Sequence, residues 1–339
     1  MEASNRALYE EIGQAPGCLR LARDFYSRVA TDPELKSLFP GKSLRCATEE
    51  FAAFLIQFFD GDETKTQYRW WLSLRESHAR FSISDVQRRA WLGHMSAALD
   101  SCVGSPQARN DLRSFFETAS TYIVGSSQTQ LANEELNDRW ARQRSLDQLV
   151  NSIAAGDDEE AMALAEAHAS RRSVMVGILA RMMQTGREPL IGFVLNSLEQ
   201  DEQLAFSRFN GRTLLHFSAS SGCLPVLSAL LANGADPNVL DQGGHTPLYR
   251  VANGCSGEAG PQIVRELVRS GALVNHSGGV TKSTALHAAA RWGHLAVAMA
   301  LLDEGASMEA RDSKGFTPLD RARNCRKWEV AKALESHVT

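Results

Sequence analysis

The sequence lacks the features that would mark a nucleic-acid-binding, membrane or secreted protein. It has no basic surplus, because 36 Lys and Arg residues face 40 Asp and Glu residues. Binding to phosphate backbones or anionic membranes normally needs such a surplus. No uncharged apolar run approaches the roughly 20 residues that cross a bilayer, and the polar N-terminus has no apolar signal core. We therefore expect no nucleic-acid partner, no membrane partner and a cytoplasmic location.

Cysteine is also sparse and scattered. The six cysteines lie far apart in the sequence, and no two of them form a Cys-x-x-Cys pair. A disulfide framework or a zinc site would need closer and more regular spacing. The pattern predicts free thiols in a reducing compartment.

A tetrad of the form Thr-x-Leu-His or a variant recurs in the last third of the chain. The four copies begin at Thr213, Thr246, Thr284 and Thr317, at intervals of 33, 38 and 33 residues. Each threonine precedes a short apolar helix, where its hydroxyl can accept hydrogen bonds from unpaired backbone N–H groups. The period and the tetrad resemble ankyrin repeats. This resemblance implies an α-solenoid that binds a protein partner through its concave face and loop tips, without catalysis.

The repeats and the remaining chain suggest a division into domains. Two degenerate helical pairs precede the clear repeats, which start at about residue 211, so we assign residues 146–339 to the repeat domain. Residues 1–125 are predicted to form a separate domain, and residues 126–145 a linker and a helix. Trp140 in this helix could pack against either domain. The tetrad histidines His216 and His287 are expected to be structural, since their spacing forms no metal-ligand cluster.

The N-terminal part has the pattern of a small all-α domain with an aromatic interior. Phe51, Phe54 and Phe58 recur at helical spacing and form one apolar stripe. Ser84 with Gln87 forms a capping-box signal at the start of another helix. Considered without a family, a lone histidine near a helix end is more often solvated or hydrogen-bonded than bound to a metal.

Several segments of this part resemble a group II truncated haemoglobin in register. The segments are Asp24-Phe25-Tyr26, Leu38-Phe39-Pro40, Phe54-Leu55-x-Gln57, Leu74-Arg75-x-x-His78-Ala79-x-Phe81 and Ala90-Trp91-Leu92. The resemblance covers about residues 6–125 and implies a haem b cofactor. It implies that His78 is the axial ligand of the haem iron, and that Phe39, Phe51, Phe54 and Trp91 contact the haem. It further implies a distal ligand pocket formed by Tyr26, Ala47, Phe51 and Trp91.

Two positions depart from the family pattern. Ser77 stands where many relatives carry an arginine that reaches a haem propionate, so this anchor would move to Arg75, Arg80 or another basic side chain. Phe39 lacks the hydroxyl that some relatives have at this position, which leaves the distal hydrogen bonds to Tyr26 and Trp91. His94 is interpreted as a packing or surface residue.

The expected fold class is all-α, with a truncated globin, a two-over-two helical sandwich, followed by an α-solenoid of ankyrin repeats. The leading functional hypothesis is a haem protein that binds dioxygen or another diatomic gas and presents the repeats to a protein partner, with gas or redox sensing as an extension. The alternative is a haem enzyme, a nitric oxide dioxygenase or a peroxidase, that the repeats localise. A third hypothesis is an interaction protein whose globin has lost haem.

Overall fold

The computed structural model describes residues 7–39, 44–59, 83–124, 134–255 and 257–337, together with Leu74 and His78. These residues form helices and turns, and no β-strand occurs among them beyond two isolated β-bridges. The chain divides into two compact units, Met1–Asp157 and Asp158–Thr339. The all-α fold class is confirmed.

The first unit is built from helices around an aromatic core. Its described helices are α1 Ala7–Ile12, α2 Gln14–Val29, α3 Pro33–Lys36, α4 Arg45–Phe58, α5 Asp85–Cys102, α6 Pro106–Val124 and α7 Glu134–Ala155. Helix α2 packs on both α4 and α5, and α5 packs on α6. The core between these helices includes Phe25, Leu55, Leu99, Leu112 and Phe115, each of which is at most 1% exposed.

Local capping signals determine where two of these helices begin. The predicted capping box at α5 is confirmed, because the Gln87 N–H donates to Ser84 Oγ at 3.2 Å and the Ser84 N–H donates to Gln87 Oε1 at 2.9 Å. Asp32 caps α3 in the same way by accepting from the Glu34 N–H at 2.9 Å, with Pro33 at the first helical position. The cap at Asp32 also fixes the start of the segment that leads to Phe39.

Helix α7 belongs to the first unit. Its Trp140 is fully buried, with the ring centroid 5.9 Å from that of Phe115 and 5.1 Å from that of Tyr122. This packing answers the question left open for Trp140. The domain boundary predicted at residue 146 stays a prediction. The division into compact units falls later, after Asp157, so the whole of α7 is assigned to the first unit.

The second unit consists mainly of paired helices. They are α8 Asp158–Glu166, α9 Arg172–Met183, α10 Glu188–Gln200, α11 Leu214–Ser221, α12 Leu224–Ala232, α13 Pro247–Gly254, α14 Gly260–Arg269, α15 Ala285–Trp292, α16 Leu295–Asp303, α17 Pro318–Asn324 and α18 Trp328–His337. The first members of successive pairs stack in a row, α11 on α13, α13 on α15 and α15 on α17. The pair α9–α10 extends the array, because α9 packs on α11 and α10 packs on α12. The other predicted degenerate pair would combine the end of α7 with α8, and the division between the units falls between these two helices.

Each of the two tetrads that contain histidine bonds its repeat to the next one. Thr284 caps α15, and its N–H donates to His287 Nδ1 at 3.2 Å. The proton of this neutral histidine therefore sits on Nε2, which donates to the carbonyl of Phe316 in the following repeat at 2.9 Å. His216 makes the equivalent bond to the carbonyl of His245 at 3.2 Å. Both histidines are thus structural, as the sequence predicted.

Candidate functional site

Four of the predicted site residues form one aromatic cluster in the first unit. Tyr26 of α2 lies edge-on to Phe39, which follows α3, with 5.8 Å between ring centroids, and edge-on to Phe51 of α4 at 6.2 Å. Phe51 in turn lies 6.5 Å from Trp91 of α5. Three helices and the segment after α3 therefore bring together side chains that the sequence separates by up to 65 positions. These contacts are typical of edge-to-face aromatic packing.

The aromatic cluster is half-buried on one side and continuous with the fully buried core on the other. Tyr26, Phe39, Phe51 and Trp91 are only half-buried, although they pack against the core. Phe25 and Phe116, directly behind them, are 1% and 2% exposed. Large aromatic side chains that lie side by side and are each only half-buried form an apolar wall. Such a wall suits a flat prosthetic group, which would cover the faces that the core leaves open.

The two other residues assigned to this wall lie on the same helix as Phe51. Phe54 follows one turn later, is 8% exposed and stacks on Phe51 with 6.2 Å between centroids. Ala47 lies one turn earlier and is half-buried. Ala47, Phe51 and Phe54 therefore share one face of α4.

Two side chains of the cluster carry hydrogen-bond donors, the Tyr26 hydroxyl and the Trp91 indole N–H. Among the described residues, nothing accepts a hydrogen bond from the Tyr26 hydroxyl or the Trp91 indole N–H. Burial, and secondarily the charge of Glu50, raises the pKa of the Tyr26 hydroxyl well above its ordinary value. Tyr26 is therefore a neutral donor at physiological pH.

His78 is half-buried and oriented by the backbone. Its Nδ1 lies 2.8 Å from the carbonyl oxygen of Leu74, four residues earlier. Because a carbonyl can only accept, Nδ1 carries a proton, and the neutral form of the imidazole would have its lone pair on Nε2. Metal-ligating histidines commonly have this arrangement, in which one ring nitrogen donates to a carbonyl and the other coordinates.

One described residue has a more specific partner than the sequence suggested. His94 Nε2 lies 2.7 Å from Asp32 Oδ2, so it links α5, one turn beyond Trp91, to the cap of α3. The bond to His94 also holds the pKa of Asp32 below its ordinary value. Nothing in the local sequence of either residue indicates this pair. The proposed propionate anchors Arg75 and Arg80, and Ser77, lie outside the described residues.

The second unit shows a different kind of buried polar site, one that fixes loops. The carboxylate of Asp241 accepts from the backbone N–H groups of Gly243 and His245 at 2.8 and 3.0 Å and pairs with Arg250. Asp312 repeats the arrangement two repeats later, with Arg321 as its partner. No group of three or more metal-ligating side chains occurs in the part of the chain that the structure describes. His216, His287, Asp241 and Asp312 instead make hydrogen bonds within and between the repeats.

Comparison with known proteins matches both units. The family model for a bacterial-like globin matches residues 7–123, an ankyrin repeat model matches residues 210–242, and a model of three ankyrin repeats matches residues 253–337. The group 2 truncated hemoglobin YjbI of Bacillus subtilis is 30% identical over 130 residues, which cover 38% of this chain and 97% of that protein. The chain belongs to the group 2 truncated haemoglobin family. It joins this truncated haemoglobin to C-terminal ankyrin repeats.

Two further relatives are much longer than the matched stretch. A transient receptor potential cation channel subfamily A member 1 homolog of Caenorhabditis elegans is 34% identical over 122 residues, which cover 36% of this chain and 10% of that protein. Alpha-latrotoxin-Lg1a of Latrodectus geometricus is 37% identical over 115 residues, 33% of this chain and 8% of that protein. The chain spans only about a tenth of these two relatives, so the likeness does not extend to their activities.

The residues of the truncated haemoglobin unit fit a haem. His78 donates from Nδ1, which leaves Nε2 as the ligating nitrogen of its neutral form, and the half-buried aromatic side chains form an apolar wall that includes the donor groups of Tyr26 and Trp91. Membership of a globin family implies haem binding, and the ankyrin repeats imply protein interaction. No described helix is both long and apolar enough to span a membrane.

Proposed function

We propose that this protein binds haem b in its truncated haemoglobin unit and uses it to bind dioxygen or another diatomic gas. When bound, haem would supply the iron at which the gas is held. His78 would hold the iron through Nε2, with its Nδ1–H oriented by the Leu74 carbonyl. The observation that carries the proposal is the combination of this tautomer with the half-buried aromatic wall.

The residues of the wall have distinct tasks in this proposal. Phe39, Phe51 and Phe54 would pack on the porphyrin and exclude water, and Ala47 would leave room beside it because its side chain is small. Tyr26 and Trp91 would donate hydrogen bonds to the gas where it carries partial negative charge. Such donors act strongly in a dry pocket, because water does not compete for them.

Absorption spectra of the purified full-length protein test the proposal directly. We expect haem bands in the ferric, dithionite-reduced, oxygenated and carbonyl forms, and we expect the His78→Ala variant to lose or alter them. The His94→Gln variant is the matched control, because it changes another half-buried histidine of the same unit, whose partner is Asp32. Wild-type protein that stays colourless after expression with ample haem would contradict haem binding and favour a pure interaction protein.

We further propose that the ankyrin array binds a protein partner, and that the haem state influences this binding. Large apolar side chains on the array support it, since Trp292 and Trp328 are 49% and 63% exposed. The test compares the wild type with the Trp292→Ala, Trp328→Ala double variant. Loss of partner binding in the double variant would show that these two side chains belong to the binding surface. Equal partner affinity for the ferric, deoxy and carbonyl forms would contradict sensing and leave simple tethering.

An enzymatic role is the second candidate. Tyr26 and Trp91 pack on the same aromatic cluster and would face the proposed gas site, where their donor groups would polarise dioxygen or peroxide. A nitric oxide dioxygenase or a peroxidase would therefore also suit the site. Sustained nitric oxide consumption or peroxide turnover with a supplied reductant, lost in the Tyr26→Phe variant, would support this role. No turnover with any reductant would exclude it.

A further inference from the structure

A helix outside the globin match carries a stripe of buried polar side chains. The globin match ends at residue 123, and α7 spans Glu134–Ala155. Arg139, Gln143 and Asp147 follow one another at intervals of four residues, so they lie on one face of α7. They are only 2%, 4% and 0% exposed. Burying charged side chains is costly unless they are hydrogen-bonded, so their partners matter.

Arg139 bonds to the end of the helix that carries the distal residues. Its guanidinium donates to the carbonyl oxygen of Phe58 at 2.8 Å, in a buried position. Phe58 is the last residue of α4, where carbonyl groups have no partner within the helix. A cation at this end also interacts favourably with the helix dipole. Arg139 therefore caps the helix of Ala47 and Phe51.

Asp147 bonds to the segment that carries the proposed axial ligand. Its Oδ1 accepts from the Leu74 N–H at 2.6 Å and from Gln143 Nε2 at 3.3 Å. The carbonyl of the same Leu74 accepts from His78 Nδ1 at 2.8 Å. A buried carboxylate thus holds the residue that orients the His78 imidazole.

We propose that Asp147 is a positioning residue for His78, and that α7 is an added element that fixes the geometry of the haem site. This inference rests on the proposed function, since it takes His78 as the axial ligand. The N–H and the C=O of Leu74 belong to different peptide groups, so Asp147 acts by fixing the position of the Leu74 backbone. A firmly held carbonyl gives His78 a short, well-directed hydrogen bond, which strengthens its bond to iron.

The test uses three variants of the full-length protein. Asp147→Leu removes the acceptor while keeping the branching of the side chain, and Asp147→Asn keeps an uncharged acceptor of the same size. Asp138→Leu is the matched control, because Asp138 is an exposed carboxylate on the same helix. The measurements are the iron–histidine stretching band of the ferrous protein by resonance Raman spectroscopy, the rate of haem loss to excess apomyoglobin, and hydrogen exchange of the segment containing Leu74 in the haem-free protein.

We expect Asp147→Leu to lower and broaden the iron–histidine band, to speed haem loss roughly tenfold, equivalent to about 1.4 kcal/mol, and to speed exchange around Leu74. Asp147→Asn should give a smaller shift, since hydrogen bonds to charged acceptors are roughly twice as strong as those to neutral ones. Asp138→Leu should match the wild type in all three measurements.

Several outcomes would overturn the inference. An unchanged band and an unchanged rate of haem loss in Asp147→Leu, in a protein whose haem depends on His78, would refute it while leaving the proposed function intact. If Asp147→Leu does not fold, a wild-type band in Asp147→Asn would refute it instead. Wild-type protein without haem would refute both proposals together.

Discussion

Acidification should weaken the ankyrin array at His216 before it affects the buried aspartates. His216 is fully buried, and burial lowers its pKa from 6.5 to about 4. The unfolded chain therefore takes up a proton more readily than the folded chain. Stability that is present at pH 7 is lost as the pH falls below 6.5, and the loss is complete near pH 4.

The size of this loss follows from the difference in pKa. The full difference corresponds to about 3.4 kcal/mol, at 1.36 kcal/mol per pKa unit. Between pH 7 and pH 5 the loss from His216 alone is about 2 kcal/mol. Asp241 adds nothing in this interval. Burial is the largest single influence and raises its pKa, but the hydrogen bonds from His245 and the charge and hydrogen bond of Arg250 together outweigh it and leave the pKa well below 3.8. The contribution of Asp241 is therefore lost only in more acidic solution.

Hydrogen exchange of the peptides from α11 and α12 measures this loss locally, once intrinsic exchange rates are corrected for pH. We expect protection to fall roughly 20- to 30-fold between pH 7 and pH 5. The His216→Gln variant is the control, because glutamine can complete the capping box with Thr213 but does not titrate. It should be less protected at pH 7, since the bond to the His245 carbonyl is lost, and its protection should change less with pH. An equal fall in both proteins would refute the reasoning.

Three further predictions concern single side chains. Tyr26→Phe should speed dissociation of dioxygen from the ferrous protein roughly 10- to 100-fold, because a hydrogen bond to a charged group contributes about 1.5–3 kcal/mol; stopped-flow spectroscopy measures this rate, and an unchanged rate would exclude Tyr26 as a donor. Arg326 has a left-handed backbone, with a φ of 58°, at the position where the preceding repeat has Gly293. Because glycine adopts this conformation without strain, Arg326→Gly should stabilise the array by about 1 kcal/mol in urea denaturation. Gly293→Ala should destabilise the array for the same reason. Asp241→Asn should cost about 3 kcal/mol in the same assay, because Arg250 is left without its buried counter-charge; a loss below a third of that would contradict the structural role.

The sequence predicted those features that depend on neighbouring residues. The bonds between Thr284 and His287 span three residues, so the tetrad itself specifies the helix start. The same holds for the capping box of Ser84 and Gln87. The in-register segments around Tyr26 and Trp91 indicated the globin, and the structure brings these two side chains into one aromatic cluster. Local interactions and family pattern were therefore sufficient for the fold class.

The features that the sequence did not reveal depend on contacts between distant segments. Asp147 bonds to the amide of a residue 73 positions earlier, and His94 bonds to a carboxylate 62 positions earlier. A charged residue on a helix is usually exposed, so composition alone would place Asp147 and Arg139 in solvent. Their burial becomes intelligible only when α7 is seen to pack with the first unit through Trp140.

The same helix makes the sensing hypothesis testable without a known partner. A tenfold change in partner affinity needs about 1.4 kcal/mol of coupling, and a hydrogen bond to a charged acceptor contributes about 1.5–3 kcal/mol. The free energy of the single hydrogen bond between Asp147 and Leu74 is therefore large enough to couple a change at His78 to α7. Sensing through this bond predicts that hydrogen exchange of α7 differs between the deoxy and carbonyl forms of the wild type and is equal in the two forms of Asp147→Leu. Equal exchange in both forms of the wild type would exclude this route and favour repeats that only tether the haem unit.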